Sequence, residues 1–236
     1  MRFFNQPLVS LFSALFTLLA CTSAFAQSNI AAKPLSTSTL ATNAVVNSTV
    51  STPHEANEKH LKNTTQLTFG GDNAEAYFNP AGTQVSCQIT NPKWNVPCDQ
   101  IYVMDLAKAQ KQDTANYHPQ RISSGKGRTT CSYFMPDGKH ILYASTFATN
   151  DACPVPPVSN GRYLWAVYPE FDIYVANMDG TIAKKLTDSP GYDAEATISP
   201  DGKTIVFTSI RSGDLELWTM DIDGKNVKTS HKWLRL

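Results

Sequence analysis

The chain has 236 residues, 42% of them apolar, and its 20 basic and 20 acidic side chains cancel. That balance excludes the basic footprint of a nucleic-acid binder and a charge-driven membrane surface. The apolar share suits a soluble globular fold.

The first 26 residues stand apart. Arg2 is their only charge, an apolar run "PLVSLFSALFTLLA" follows, and the stretch ends on Ala24-Phe25-Ala26. A basic start, a short apolar segment and a small-x-small site predict a secretory signal peptide over 1–26, cleaved after Ala26. The run is too short for a spanning helix. "LLAC" at 18–21 offers a second exit, a lipobox with Cys21 as the lipidated residue, although Leu19 fits that box poorly. The two routes predict a periplasmic or secreted protein, or a lipoprotein anchored to the membrane through Cys21.

Residues 27–64 read as a tether. Ser, Thr, Asn and Ala fill 21 of these 38 positions and none is aromatic. Such a segment buries too little apolar surface to offset its ordering entropy, so disorder is predicted. The folded part is predicted over 65–228.

That part repeats itself. "NAEAYFNPAGTQVSCQI", "TTCSYFMPDGKHILYAS" and "DAEATISPDGKTIVFTS" align on Pro80, Pro136 and Pro200, each with a glycine two residues on (Gly82, Gly138, Gly202). Upstream of each stands a Leu-Thr-like pair: Leu67-Thr68, Ile122-Ser123, Leu186-Thr187. Downstream come "QIYVMD", "DIYVANMDG" and "ELWTMDIDG". Four features in constant order mark an internal repeat. "SPDG" predicts a type I turn, with proline second and glycine last, joining two strands. "KHILYAS" and "KTIVFTS" have the β-branched and aromatic content of buried strands. A third strand, a Met-Asp-Gly turn at 178–180 and a short fourth strand, "AKKLT", complete the unit. Four antiparallel strands repeated along a chain predict an all-β fold of β-propeller blades. Three blades are predicted, at about 66–120, 121–184 and 185–228. Pro80 to Pro136 and Pro136 to Pro200 are 56 and 64 residues. Insertions account for the length: 90–98, a long turn at 106–120, and "ATNDACPVPPVSNGRYLW" at 148–165.

The grammar carried by "LTFGGDNAEAYFNPAG", "CDQIYVMD", "FDIYVANMDGT" and "LTDSPGYDAEATISPDGKTIVFTS" resembles the TolB-like propeller family over roughly residues 66–227. The resemblance implies an exported protein that binds envelope proteins or peptides with its propeller. That family also closes its ring with about six blades and places a small α/β domain before it, which the 27–64 segment cannot supply. A fourth unit in register would start with Leu-Thr at 230–231, where Ser230-His231 stand instead. The expectation is an incomplete ring with an atypical tail at 229–236, a truncated fragment whose open blade faces invite self-association.

The innermost strand of a blade lines the channel. Counting five residues back from each turn proline gives Glu75, Cys131 and Glu195, with Asn73, Thr129 and Asp193 as the neighbouring column. Acidic side chains there suit a basic group; a solvated channel wall is the plainer reading. In the long insertion Arg162, Tyr163 and Trp165 are candidates for gripping a peptide, against a packing role for the same aromatics. Four cysteines remain after the signal: Cys87, Cys98, Cys131 and Cys153. Three pairings are open, and blade topology favours Cys131–Cys153 with Cys87–Cys98. The histidines show no ligand spacing with them, so neither metal nor cofactor is expected. "SSGKGRTT" at 123–130 lacks the first glycine of a phosphate loop. No glycine has serine two positions on, so the G-x-S-x-G elbow of a peptidase is missing. A non-catalytic binding module is the expected function. The alternatives are the propeller accessory of a prolyl-oligopeptidase-like peptidase and a nonfunctional fragment.

Overall fold

The computed structural model describes residues 57–111, 117–162 and 164–230, all within the unit Asn47–Leu236. The predicted signal peptide, the cleavage site at Ala26, Cys21 and most of the predicted tether lie outside the described residues, as do positions 231–236.

Three four-stranded antiparallel sheets follow one another along the chain, each with its strands paired in chain order. The first holds β1 (Asp72–Phe78), β2 (Gln84–Asn91), β3 (Val96–Asp105) and β4 (Gln120–Arg121). The second holds β5 (Thr129–Phe134), β6 (His140–Ser145), β7 (Asp172–Asn177) and β8 (Ile182–Lys185). The third holds β9 (Asp193–Ile198), β10 (Thr204–Ser209), β11 (Glu216–Asp221) and β12 (Lys228–Thr229). Among the described residues, helix is confined to Leu106–Lys111 and one 3-10 turn at Pro92–Trp94, and no helix is long and apolar enough to cross a membrane. These are β-propeller blades, as the repeat predicts.

The first hairpin of each blade turns as its sequence dictates. The Gly202 amide donates to the Ser199 carbonyl at 2.8 Å, and Gly138 and Gly82 repeat the bond to Met135 and Asn79. The three glycines have φ of +71°, +65° and +66°, a region that a side chain enters only with strain.

The blades bury one another's faces. Between the first and second lie Ile101, Val103, Phe134, Ile141, Tyr143 and Tyr174. Between the second and third lie Leu142, Ile173, Val175, Ala194, Ile205 and Phe207. β6 and β7 serve both cores because their alternate side chains point to opposite faces. β5 lies between β1 and β9 and is largely buried, whereas β1, which among the described first strands meets β5 alone, is exposed along nearly its whole length.

One core contact is imperfect. The hydroxyls of Tyr143 and Tyr174 are buried and have no hydrogen-bond partner among the described residues. A buried unpaired hydroxyl is a net cost, and Tyr143 is wholly enclosed. Tyr143→Phe is therefore expected to stabilise the protein by about 1 kcal/mol. The urea midpoint measures it, and a lower midpoint would show that the hydroxyl is satisfied.

Candidate binding pocket

The three first strands share an irregularity. Pairing slips by one residue between Ala74 and Tyr77 in β1, between Thr130 and Ser132 in β5, and between Ala194 and Thr197 in β9. Each bulge carries a non-glycine residue in the left-handed region: Glu75 at φ +50°, Cys131 at +40° and Glu195 at +56°. Such a residue costs roughly 1–3 kcal/mol, and strain of this kind gathers at functional positions. These are the three residues grouped by counting back from the turn prolines. They line one cavity of about 320 Å³, together with Tyr77 and Ser132.

Hydrogen bonds tie the group together. The Cys131 thiol donates to Glu195 Oε2 at 2.6 Å, and the Tyr192 hydroxyl donates to Glu195 Oε1 at 2.9 Å. Tyr77 donates to Glu75 at 2.6 Å. Burial, and then the hydrogen bond to Glu195, push the Cys131 thiol far up. Burial and the Glu195 charge do the same to Tyr192, and the bond to Glu75 does it to Tyr77. All three donors therefore keep their protons at neutral pH, and the thiol acts as a hydrogen-bond donor and not as a nucleophile.

Glu195 also faces a second cavity, of about 350 Å³, that the long insertion builds. The insertion runs from β6 to β7 and leans over the first blade. The Gly127 amide donates to the Asp151 carbonyl at 2.8 Å, and Lys126 pairs with Asp151 at 2.8 Å. The Tyr168 hydroxyl donates to the Val155 carbonyl at 3.3 Å, folding the insertion on itself. Pro156, Leu164, Trp165 and Tyr168 form one wall, and Tyr192 and Phe171 form another. Trp165 and Tyr192 face the same cavity. Asp99 and Gln88 of the first blade and Arg128 at the start of the second close the far side. Glu195 and Trp165, predicted on separate grounds, thus line one cavity.

The other predicted residues fare differently. Thr129 is fully buried and its hydroxyl donates to the Asp99 carbonyl at 2.9 Å. Asp193 is 1% exposed and accepts two hydrogen bonds from Arg211, at 2.9 and 2.8 Å, and one from Ser189. Arg211 in turn lies over the Phe207 and Trp218 rings. Neither Thr129 nor Asp193 presents a free group to a channel. Asn73 is exposed and turns back onto the carbonyls of Gly70 and Gly71. Arg162 is exposed and outside both cavities, and Tyr163 lies outside the described residues. Sequence reasoning missed Asp99, Arg128 and Tyr192, whose convergence depends on three blades meeting.

The expected disulfides are corrected. Cys98 on β3 pairs with Cys153 in the insertion, and Cys87 and Cys131 are free. Cys131 sits at the half-buried bulge of β5, its thiol turned to Glu195, while the insertion reaches toward the neighbouring blade. Cys87 points into the core of its own sheet, where burial pushes its thiol up to about 11.

No protein-family model matches the chain. An uncharacterized protein of Agrobacterium fabrum is 36% identical over 58 residues, 25% of this chain and 20% of that protein. The Tol-Pal system protein TolB of Bordetella pertussis is 29% identical over 101 residues, 37% of this chain and 23% of that protein. The chain therefore spans less than a quarter of the length of these curated relatives. The crystal structure of TolB from Acinetobacter baumannii superposes with a TM-score of 0.47 at 22% identity, covering 70% of this chain and 33% of that one.

Two outcomes are expected. Peptide mapping without reductant, on protein expressed from Gln27, recovers one crosslinked pair joining Cys98 to Cys153, with Cys87 and Cys131 alkylated only after denaturation. A Cys131–Cys153 peptide would refute the assignment. Arg211→Met strands the buried Asp193 carboxylate and lowers stability by about 3 kcal/mol, and adding Asp193→Asn recovers part of the loss. Urea titration of the single and double variants measures both.

Proposed function

We propose that this chain, whose blades are TolB-like, is an exported, non-catalytic module that binds a protein or peptide of the cell envelope. The binding site in this reading is the cavity under the insertion, with Glu195 on an inner strand and Trp165 on its wall; Glu75 lines the adjoining inner cavity, which Glu195 also reaches. One observation carries it: a proline-rich insertion, crosslinked to the neighbouring blade, roofs a cavity that contains both a strained carboxylate and an aromatic wall.

Further features support it. The insertion leaves Val155 84%, Val158 87% and Trp165 58% exposed, an apolar rim of the kind that a partner covers. Its prolines and crosslink limit the freedom lost on binding, which favours affinity. The disulfide suits an oxidising compartment and so agrees with the predicted signal peptide.

Affinity capture from bacterial envelope extract tests the reading. The wild-type chain is expected to retain a partner that Trp165→Ala and Glu195→Ala each reduce at least tenfold, while circular dichroism melts remain cooperative. Equal recovery by folded variants would reject the cavity as the site.

A further inference from the structure

Arg128 has donors to spare. Its guanidinium offers five N–H groups, and among the described residues none of them makes a hydrogen bond. The nearest carboxylate is Asp99, at 3.5 Å from Nη1, which is an ion pair but longer than a hydrogen bond. Asp99 is already engaged, because its Oδ1 accepts the Thr90 hydroxyl at 2.6 Å. Arg128 Nε is buried and without a partner, although the side chain as a whole is 31% exposed. Buried donors left unpaired are rare, and a planar fork of them matches a carboxylate.

The surroundings narrow the ligand. The cavity wall carries one cation, Arg128, and two carboxylates, Asp99 and Glu195. A dianion such as phosphate meets net repulsion there. A group with a single negative charge, carried by a molecule that also brings N–H donors for the acidic side, is complementary. Between the two ends stand Trp165, Tyr168, Phe171 and Leu164, which take an apolar or aromatic side chain. Gln88 uses its Oε1 to accept the Cys131 amide at 3.2 Å, and this leaves its amide N–H groups for a carbonyl. A cavity of about 350 Å³ holds a ligand at the small end of the usual range, not a folded domain.

We infer that the cavity recognises the C-terminal carboxylate of a peptide ending in a large apolar residue, with Arg128 as its receptor and the insertion wall holding the last side chain. The inference rests on the binding reading above and gives it a chemical class.

Isothermal titration calorimetry with the dipeptide Ala-Phe and its C-terminal amide tests it. The free acid is expected to bind wild-type protein saturably, and the amide at least tenfold more weakly. In Arg128→Gln that preference for the acid disappears, and Arg128→Lys restores it only in part. Acid and amide binding equally, with both lost in Trp165→Ala, would overturn the role of the carboxylate while leaving the cavity as a binding site. Competition by inorganic phosphate as effective as that of the acid would overturn the peptide class. Lack of saturable binding by the acid up to millimolar concentration overturns the inference, and the capture experiment with Trp165→Ala then reports separately on the binding reading.

Discussion

A four-stranded sheet whose side chains are apolar on both faces is stable only when neighbours cover both. The middle blade meets this condition. Leu142 and Val175 pack toward the third blade, and Ile141 and Tyr174 pack toward the first, from the same two strands. Stacking sheets face to face sets the first strands β1, β5 and β9 side by side. From that adjacency come both the inner cavity and the contact between Cys131 of one blade and Glu195 of the next. The site is therefore a product of blade packing, and no single blade contains it.

The bulges show where regular pairing was given up. A one-residue slip in a strand reverses which face later side chains take. An added residue in each first strand lets its two halves keep their buried faces while one side chain is turned out of the ladder. The backbone accepts an unfavourable φ at Glu75, Cys131 and Glu195, and none of the three is glycine. Packing alone would favour glycine at such a position. Instead, polar side chains that make hydrogen bonds stand there and line the cavity.

Local grammar made the blades legible. Pro200 and Gly202 describe their turn completely, and the repeat places Glu75, Cys131 and Glu195 in equivalent positions because the bulge has the same spacing from each turn. Residues that act across blades left no such trace. Asp193 stands two positions before Glu195, which by strand alternation points it at the channel, but the bulge at Glu195 breaks that alternation, and Arg211, eighteen residues on, claims its carboxylate. The cysteine pairing failed for a related reason. Strand order within one blade brings Cys131 and the insertion to the same end, yet the insertion leans sideways onto β3 of the blade before.

That sideways lean has a consequence for the cavity. Closing 55 residues of chain with the Cys98–Cys153 bond restricts the unfolded ensemble, an effect usually of about 2–4 kcal/mol. The same bond fixes the insertion against Gly127, where any side chain would collide with Thr146 and the Phe147 backbone. The residue that follows is Arg128. The tether that holds the roof over the cavity therefore also fixes the backbone that carries the unspent guanidinium. Recognition by Arg128 and contact with the insertion wall are mechanically one unit, so a ligand that engages one end meets the other already in place.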